Sequence, residues 1–379
     1  MMTAIFPSQV LANTNSWSQL ALEKVGIMDL AVDPARSETL YAATTQGLQM
    51  SSDSGTTWHS INKGLPASEA TSIAINPTNS KNIFVCYDGE GIFKSVDGGE
   101  TWVAQNDGLP TLNVRTLVFH PKDSNTLYAG IKGGVCITSN AGSKWSPTSG
   151  FKPYTNVNDI AFNPQDPSTV YAATGNDGVF KSTNGGVSWK DINTGLPSLS
   201  IFTLSIDPKN PERIIAGTYN AVTPTDLYVG DVYGGVFYTN DGGAHWQASK
   251  ALSSVTIFRL VRYPQNSNVV YASTLGGIYR SIDGGINWTD INAGLANEFL
   301  HALVLIPQKD APLLLSGTPN GIYTYTDQEW NSLKAKISVI PKWVWWTAGG
   351  TAGAILVGLV IWLILRKRRK GKEKQKYAW

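Results

Sequence analysis

The sequence predicts an all-β body, a single seven-bladed β-propeller of four-stranded antiparallel blades, followed by one C-terminal transmembrane α-helix. Three observations predict it: an eight-residue element recurring at near-constant spacing, strand-like apolar runs with the same period, and a 23-residue uncharged segment near the C-terminus. Composition agrees, because 42% of the 379 residues are hydrophobic, enough for a sizeable core. The 37 Gly, 13 Trp and 15 Tyr favour short strands joined by glycine turns.

The recurring element reads "SSDSGTTW" (51–58), "SVDGGETW" (95–102), "TSNAGSKW" (138–145), "STNGGVSW" (182–189), "TNDGGAHW" (239–246) and "SIDGGINW" (281–288). Successive Trp residues are 44, 43, 44, 57 and 42 apart, and a further 42 leads to Trp330 in a degraded copy, "TYTDQEW". A short apolar run ending at a Pro keeps the same period seven times, from "LAVDP" (30–34) to "LVLIP" (303–307). Each is followed by a third run, such as "LYAAT" (40–44) or "VYAST" (270–274), and by a Gly-led fourth, such as "GIFKS" (91–95). Each unit therefore reads as strands a, b, c and d, and such units stack their faces on their neighbours in a propeller. The stretch "SWSQLAL" (16–22) resembles an isolated strand d, so the chain's N-terminal strand is expected to complete the last blade and close the ring.

The recurring element falls on the c-to-d hairpin. Gly55, Gly99, Gly142, Gly186, Gly243 and Gly285 hold the same place in each copy, as a position needing positive φ would. Asp53, Asp97, Asn140, Asn184, Asp241 and Asp283 stand two residues earlier, where either side chain can bond backbone N–H groups of its own turn. That exchange of Asp for Asn argues for a structural role and against a catalytic one.

The pattern Ser/Thr-x-Asp-x-Gly-x-x-Trp resembles the Asp-box, or sialidase-type, repeat. The surrounding register is similar to the propellers of xyloglucan-cleaving hydrolases, sortilin-type receptors and the photosystem II assembly factor family. The resemblance covers nearly all of residues 16–330, within an expected propeller of 16–333, and implies that the element lies away from the binding sites. It also implies what an enzyme would need. Sialidases use three Arg on a carboxylate, and the body's Arg36, Arg115, Arg213, Arg259, Arg262 and Arg280 do not converge by register. The hydrolases use paired carboxylates between two propellers, and no pair stands out here. A cell-surface glycoside hydrolase and a photosystem-assembly-factor-like protein are the alternatives to a non-catalytic protein- or glycan-binding platform.

Other chemistries find little support. His59, His120, His245 and His301 are scattered without ligand spacing, so no metal and no cofactor are expected. Cys86 and Cys136 are too few for a disulfide framework. From Lys342 onward lie nine basic residues and one acid, leaving 21 basic and 27 acidic side chains in residues 1–341. A nucleic-acid partner is therefore not expected.

Binding is expected on the face opposite the hairpin elements, formed by the d-to-a and b-to-c connections. The one large departure from the period inserts "YNAVTPTDLYVGDVY" (219–233) there, offering Tyr219, Asp226, Tyr228, Asp231 and Tyr233. At the strand-a entrances of that face stand Met28, Thr71, Arg115, Asn158, Phe202, Phe258 and His301, and Arg115, Arg259 and His301 join the candidate ligand-binding set.

After a linker, 334–342, the segment "WVWWTAGGTAGAILVGLVIWLIL" (343–365) carries no charge, and at about 1.5 Å per residue it spans a hydrocarbon layer of about 30 Å. Trp residues at one end and the basic tail 366–379 at the other orient it with the tail cytoplasmic and the propeller extracytoplasmic. Residues 1–15 contain Val10-Leu11-Ala12, which reads as the end of a signal peptide. Gly350, Ala354 and Gly358 form a small-residue stripe suited to helix pairing.

Overall fold

Each repeat folds into one antiparallel sheet, and the computed structural model holds seven four-stranded sheets among its described residues, which are 16–219, 234–295, 299–308 and 311–327. In the first blade strands a to d are Ile27–Val32, Leu40–Thr44, Gly47–Ser51 and His59–Ser60, paired in sequence order. The predicted seven-bladed propeller is what forms. Among the described residues no helix is long and apolar enough to cross a membrane. Residues 1–15, the linker 334–342, the expected span 343–365 with its Gly350, Ala354 and Gly358, and the tail 366–379 lie outside the described residues.

Strands b read as unbroken apolar runs because they have a strand on either side and a neighbouring blade against each face. Leu40–Thr44, Ile83–Tyr87, Val170–Thr174, Ile214–Thr218 and Val270–Thr274 are buried at every position. The core lies between blades: Tyr41, Ala43 and Leu48 of the first pack on Ile73, Ile83, Val85 and Trp102 of the second. Outer strands such as His59–Ser60 and Val103–Ala104 are two residues long and exposed, which leaves little sheet edge for another chain to pair with. They begin one residue after the Trp, because the Trp side chain turns inward: Trp102 Nε1 donates to the Ile61 carbonyl of the preceding blade at 2.8 Å.

The hairpin element is held by its own side chains. Ser95 Oγ accepts the Gly99 N–H at 2.8 Å and donates to Asp97 Oδ1 at 2.7 Å, and Oδ1 also accepts the Thr101 N–H at 3.0 Å. Asn140 and Asn184 accept the Lys144 and Ser188 N–H groups at 2.9 and 3.0 Å in the same way, so one carbonyl-type oxygen is all the turn requires. Gly99 sits at φ 101°, where a side chain would be strained, and a Cβ would press on Ile61. The Thr57 hydroxyl and N–H hold the half-buried Asp53 carboxyl down at about 2.

The ring closes as the sequence suggests. Ser18–Ala21 pairs antiparallel with Gly321–Thr326 to complete the seventh blade. Trp17 takes the inward Trp position, donating to the Ile291 carbonyl at 2.8 Å and stacking on Tyr325 at 5.1 Å. The degraded seventh copy has turned its acid inward: fully buried Asp327 accepts Arg280 Nη1 at 2.7 Å and the Tyr271 hydroxyl at 2.8 Å, both from the sixth blade.

Candidate functional site

Strand a of each blade lines the channel, and a register shift recurs near its start in six blades, at Ile27/Asp29, Ala70/Ser72, Val114/Thr116, Val157/Asp159, Ile201/Thr203 and Ile257/Arg259. This bulge separates two rings of side chains. The residue inside the bulge belongs to the channel mouth: Met28, Thr71, Arg115, Asn158, Phe202 and Phe258, with His301 of the last blade. The next residue belongs to a deeper layer: Asp29, Ser72, Thr116, Asp159, Thr203 and Arg259.

The two rings separate two residues that the sequence grouped together. Arg115 is exposed at the mouth and donates to Asn158 Oδ1 at 3.2 Å. Arg259 lies one layer deeper and half-buried, where the charges of Asp29 and Asp159 face it and raise its pKa. Both acids brace the ring: Asp29 accepts the N–H groups of Leu30 and, from the next blade, Ile73, each at 3.0 Å. Asp159 accepts those of Ile160 and, from the next blade, Leu204, each at 2.9 Å. Burial raises the pKa of both carboxyls, and Arg259 opposes that rise. Sequence reasoning missed these acids. Their signal was a single charge at one shared register in otherwise apolar strands.

At the mouth, blades five to seven bring aromatic rings together. Phe202 lies 5.6 Å from Tyr219 and 6.1 Å from Phe258 between ring centroids, and Phe258 lies 4.9 Å from His301 and 6.5 Å from Phe299. Phe299 and His301 are nearly parallel at 6.3 Å. Tyr219 and Phe299 keep 42% and 52% of their surface exposed. Leu199 and Leu275, from connections of the same face, are exposed beside this sector in the chain. Burial pushes the His301 imidazole below its ordinary 6.5, which favours the uncharged ring at neutral pH. The structure thus unites Tyr219 and His301 of the expected set, adds Phe299, and places Arg115 on the other side of the mouth. Asp226, Tyr228, Asp231 and Tyr233 lie outside the described residues.

Blades two to four present polar groups instead. Asp88, Asn113, Arg115, Lys132 and Asn156 line a cavity of about 240 Å³. Among the described residues no group of three or more potential metal ligands occurs. Cys86 and Cys136 are buried and free, and burial pushes the Cys86 thiol up to about 12, an unreactive state at neutral pH.

Comparison with known proteins agrees with this architecture. No curated protein matches the sequence. An ancestral GH74 enzyme superposes with TM-score 0.63 and 21% identity over 82% of this chain and 46% of its own. A GH74 xyloglucanase from Xanthomonas campestris gives 0.64 and 18% over 83% and 54%. The chain therefore spans about half the length of these enzymes. YCF48, solved bound to a D1 peptide, gives 0.60 and 15% over 83% of this chain and 97% of its own. At these identities the likeness is one of fold. The Sortilin-Vps10 profile, described as sortilin, neurotensin receptor 3, matches residues 46–132 and 133–276, more than half of the sequence, with four complete blades and parts of two others, and the chain belongs to that family.

Proposed function

We propose that this protein is a membrane-anchored, extracytoplasmic propeller that binds a polypeptide partner on the face opposite the hairpin elements and acts as a receptor or assembly platform. The observation that carries the reading is the aromatic sector in which exposed Tyr219 and Phe299 flank half-buried Phe202, Phe258 and His301. Contiguous rings that keep apolar surface open at a channel mouth are poorly solvated and are stabilised by apolar side chains of a partner. A sector of Phe rings with few hydrogen-bonding groups favours a peptide over a neutral sugar. YCF48, with the same fold, was solved with a D1 peptide, which supports that class of ligand.

The GH74 enzymes of the same fold make hydrolysis the second reading. The backbone bonds of Asp29 and Asp159 weigh against it, since both carboxylates are tied to the frame. Segment 343–365 would supply the anchor and the tail 366–379 the cytoplasmic end.

A photo-crosslinking residue placed at 299, with the same residue at Val187 in a hairpin element as control, tests the site in cells producing the full chain. A discrete polypeptide adduct at 299 and none at 187 is expected; equal labelling at both positions overturns the reading. For the anchor, the full chain should stay with membranes through an alkaline carbonate wash, and its release would remove that part of the proposal.

A further inference from the structure

The polar half of the same face differs from the rest of the ring in how its side chains are used. Four asparagines that follow the outer strands, Asn62, Asn106, Asn193 and Asn292, each accept a backbone N–H at 2.6 to 2.8 Å and anchor the start of strand c. Asn113 and Asn156 have no such duty. Among the described residues their side chains, and those of Asp88 and Lys132, make no hydrogen bond or ion pair, yet all four line one cavity of about 240 Å³ with Arg115. Backbone pairing holds them in place: Asp88 bridges to Asn113, Lys132 bridges to Asn156, and the Lys132 N–H donates to the Asn113 carbonyl at 3.2 Å. Lys132 is shared with a second cavity of about 350 Å³ lined by Pro110, Pro147 and Pro153. Beside it stands the ring of Tyr154, 73% exposed, with Lys132 Nζ 6.0 Å from its centroid.

We propose that this depression is a binding subsite for an acidic sugar, a uronate unit of a glycan, distinct from the aromatic sector and independent of the polypeptide reading. The carboxylate is taken by Arg115 and Lys132, and hydroxyls are taken by the two amides and by Asp88. The Tyr154 ring supplies a flat apolar surface for a sugar face. Asp88 decides between ligand classes: it is acceptor-only when ionised, so it is satisfied by a ligand that brings donors as well as a negative charge. A polyhydroxylated carboxylate brings both, whereas an acidic side chain or a phosphate brings charge alone and meets repulsion from Asp88. Two cations against one carboxylate leave the pocket net positive, which fits a singly charged ligand.

The test titrates the purified full chain calorimetrically at low salt with tetragalacturonate, its methyl ester, and tetraglutamate. Tetragalacturonate is expected to bind about tenfold more tightly than the ester, the factor that roughly one charge-assisted hydrogen bond gives. In the exposed double variant Arg115→Gln/Lys132→Gln that preference should disappear, and Tyr154→Ala should weaken acid and ester alike. Equal affinity for acid and ester on the unsubstituted chain overturns the proposal, as does no saturable binding at millimolar sugar. Tetraglutamate binding as tightly as tetragalacturonate also overturns it, since the site would then read charge without hydroxyls. Loss of crosslinking at position 299 bears only on the polypeptide reading, so the two can fail separately.

Discussion

On the hairpin face Ser95 and Asp97 are bonded to the backbone of their own turn, and five further copies repeat the arrangement with Asp or Asn. On the opposite face the side chains of Asn113 and Asn156 carry the same amide group as Asn140 and Asn184 but make no hydrogen bond among the described residues, and Tyr219 and Phe299 stand exposed. The difference teaches where to look for function in a repeat protein. A residue that recurs in every blade answers a need every blade has, which is to close a turn or lean on a neighbour. A residue that only one or two blades carry, with unused bonding capacity in its side chain, is free to meet a ligand. Substitution on the first kind should cost stability and spare binding; substitution on the second should do the reverse.

The largest stability effect is expected at the buried pin that replaces the seventh hairpin. Asp327→Ala leaves Arg280 buried without its carboxylate, and such a broken pair costs about 3 kcal/mol or more, read as a lowered denaturation midpoint. Next comes the deep channel layer, where Arg259→Met should cost about 2 kcal/mol and do so unequally with pH. The pKa values of Asp29 and Asp159 are raised in the fold, so what they contribute is fully present below 3.8 and is lost as pH rises through their folded values. Removing the facing cation raises those values further. The destabilisation by Arg259→Met, measured by urea unfolding, should therefore be larger at pH 8 than at pH 5; a gap that widens on acidification would contradict the charge assignment.

Within a hairpin, Ser95→Ala should cost about 1 kcal/mol through its buried bonds, while Asp97→Asn should stay within about 0.5 kcal/mol because Asn140 and Asn184 already fill that role. A large cost for Asp97→Asn would show that the charge matters and would break the comparison. The smallest stability change belongs to Tyr219→Ala/Phe299→Ala, within about 0.5 kcal/mol, with a polypeptide adduct, trapped by a photo-crosslinker at Leu275, falling several-fold.

Much of this was legible in one dimension. The period of the Trp residues fixes blade number, the Pro-terminated runs fix strand a, and "SWSQLAL" foretells the closing strand, because each is a local pattern that a repeated backbone demands. Strand alternation assigns every connection to one end or the other, and so puts the insert at 219–233 on the face that we propose binds a partner. The same reasoning placed Arg115 and Arg259 together, and there it fell short: a one-residue bulge sends one to the mouth and the other into the channel. Register along a strand is a matter of single residues, and sequence period does not resolve it.

Sequence by itself determined the all-β class, the seven blades, the hairpin chemistry and the site of ring closure, because these follow from interactions between residues near each other or one period apart. Only the tertiary structure decided which side chains from different blades meet. Asp29, Asp159 and Arg259 come from the first, fourth and sixth blades, the Phe and His rings from the fifth to the seventh, and the polar cavity from the second to the fourth. Closing a ring brings residues from distant repeats to one axis, and that convergence has no counterpart along the chain.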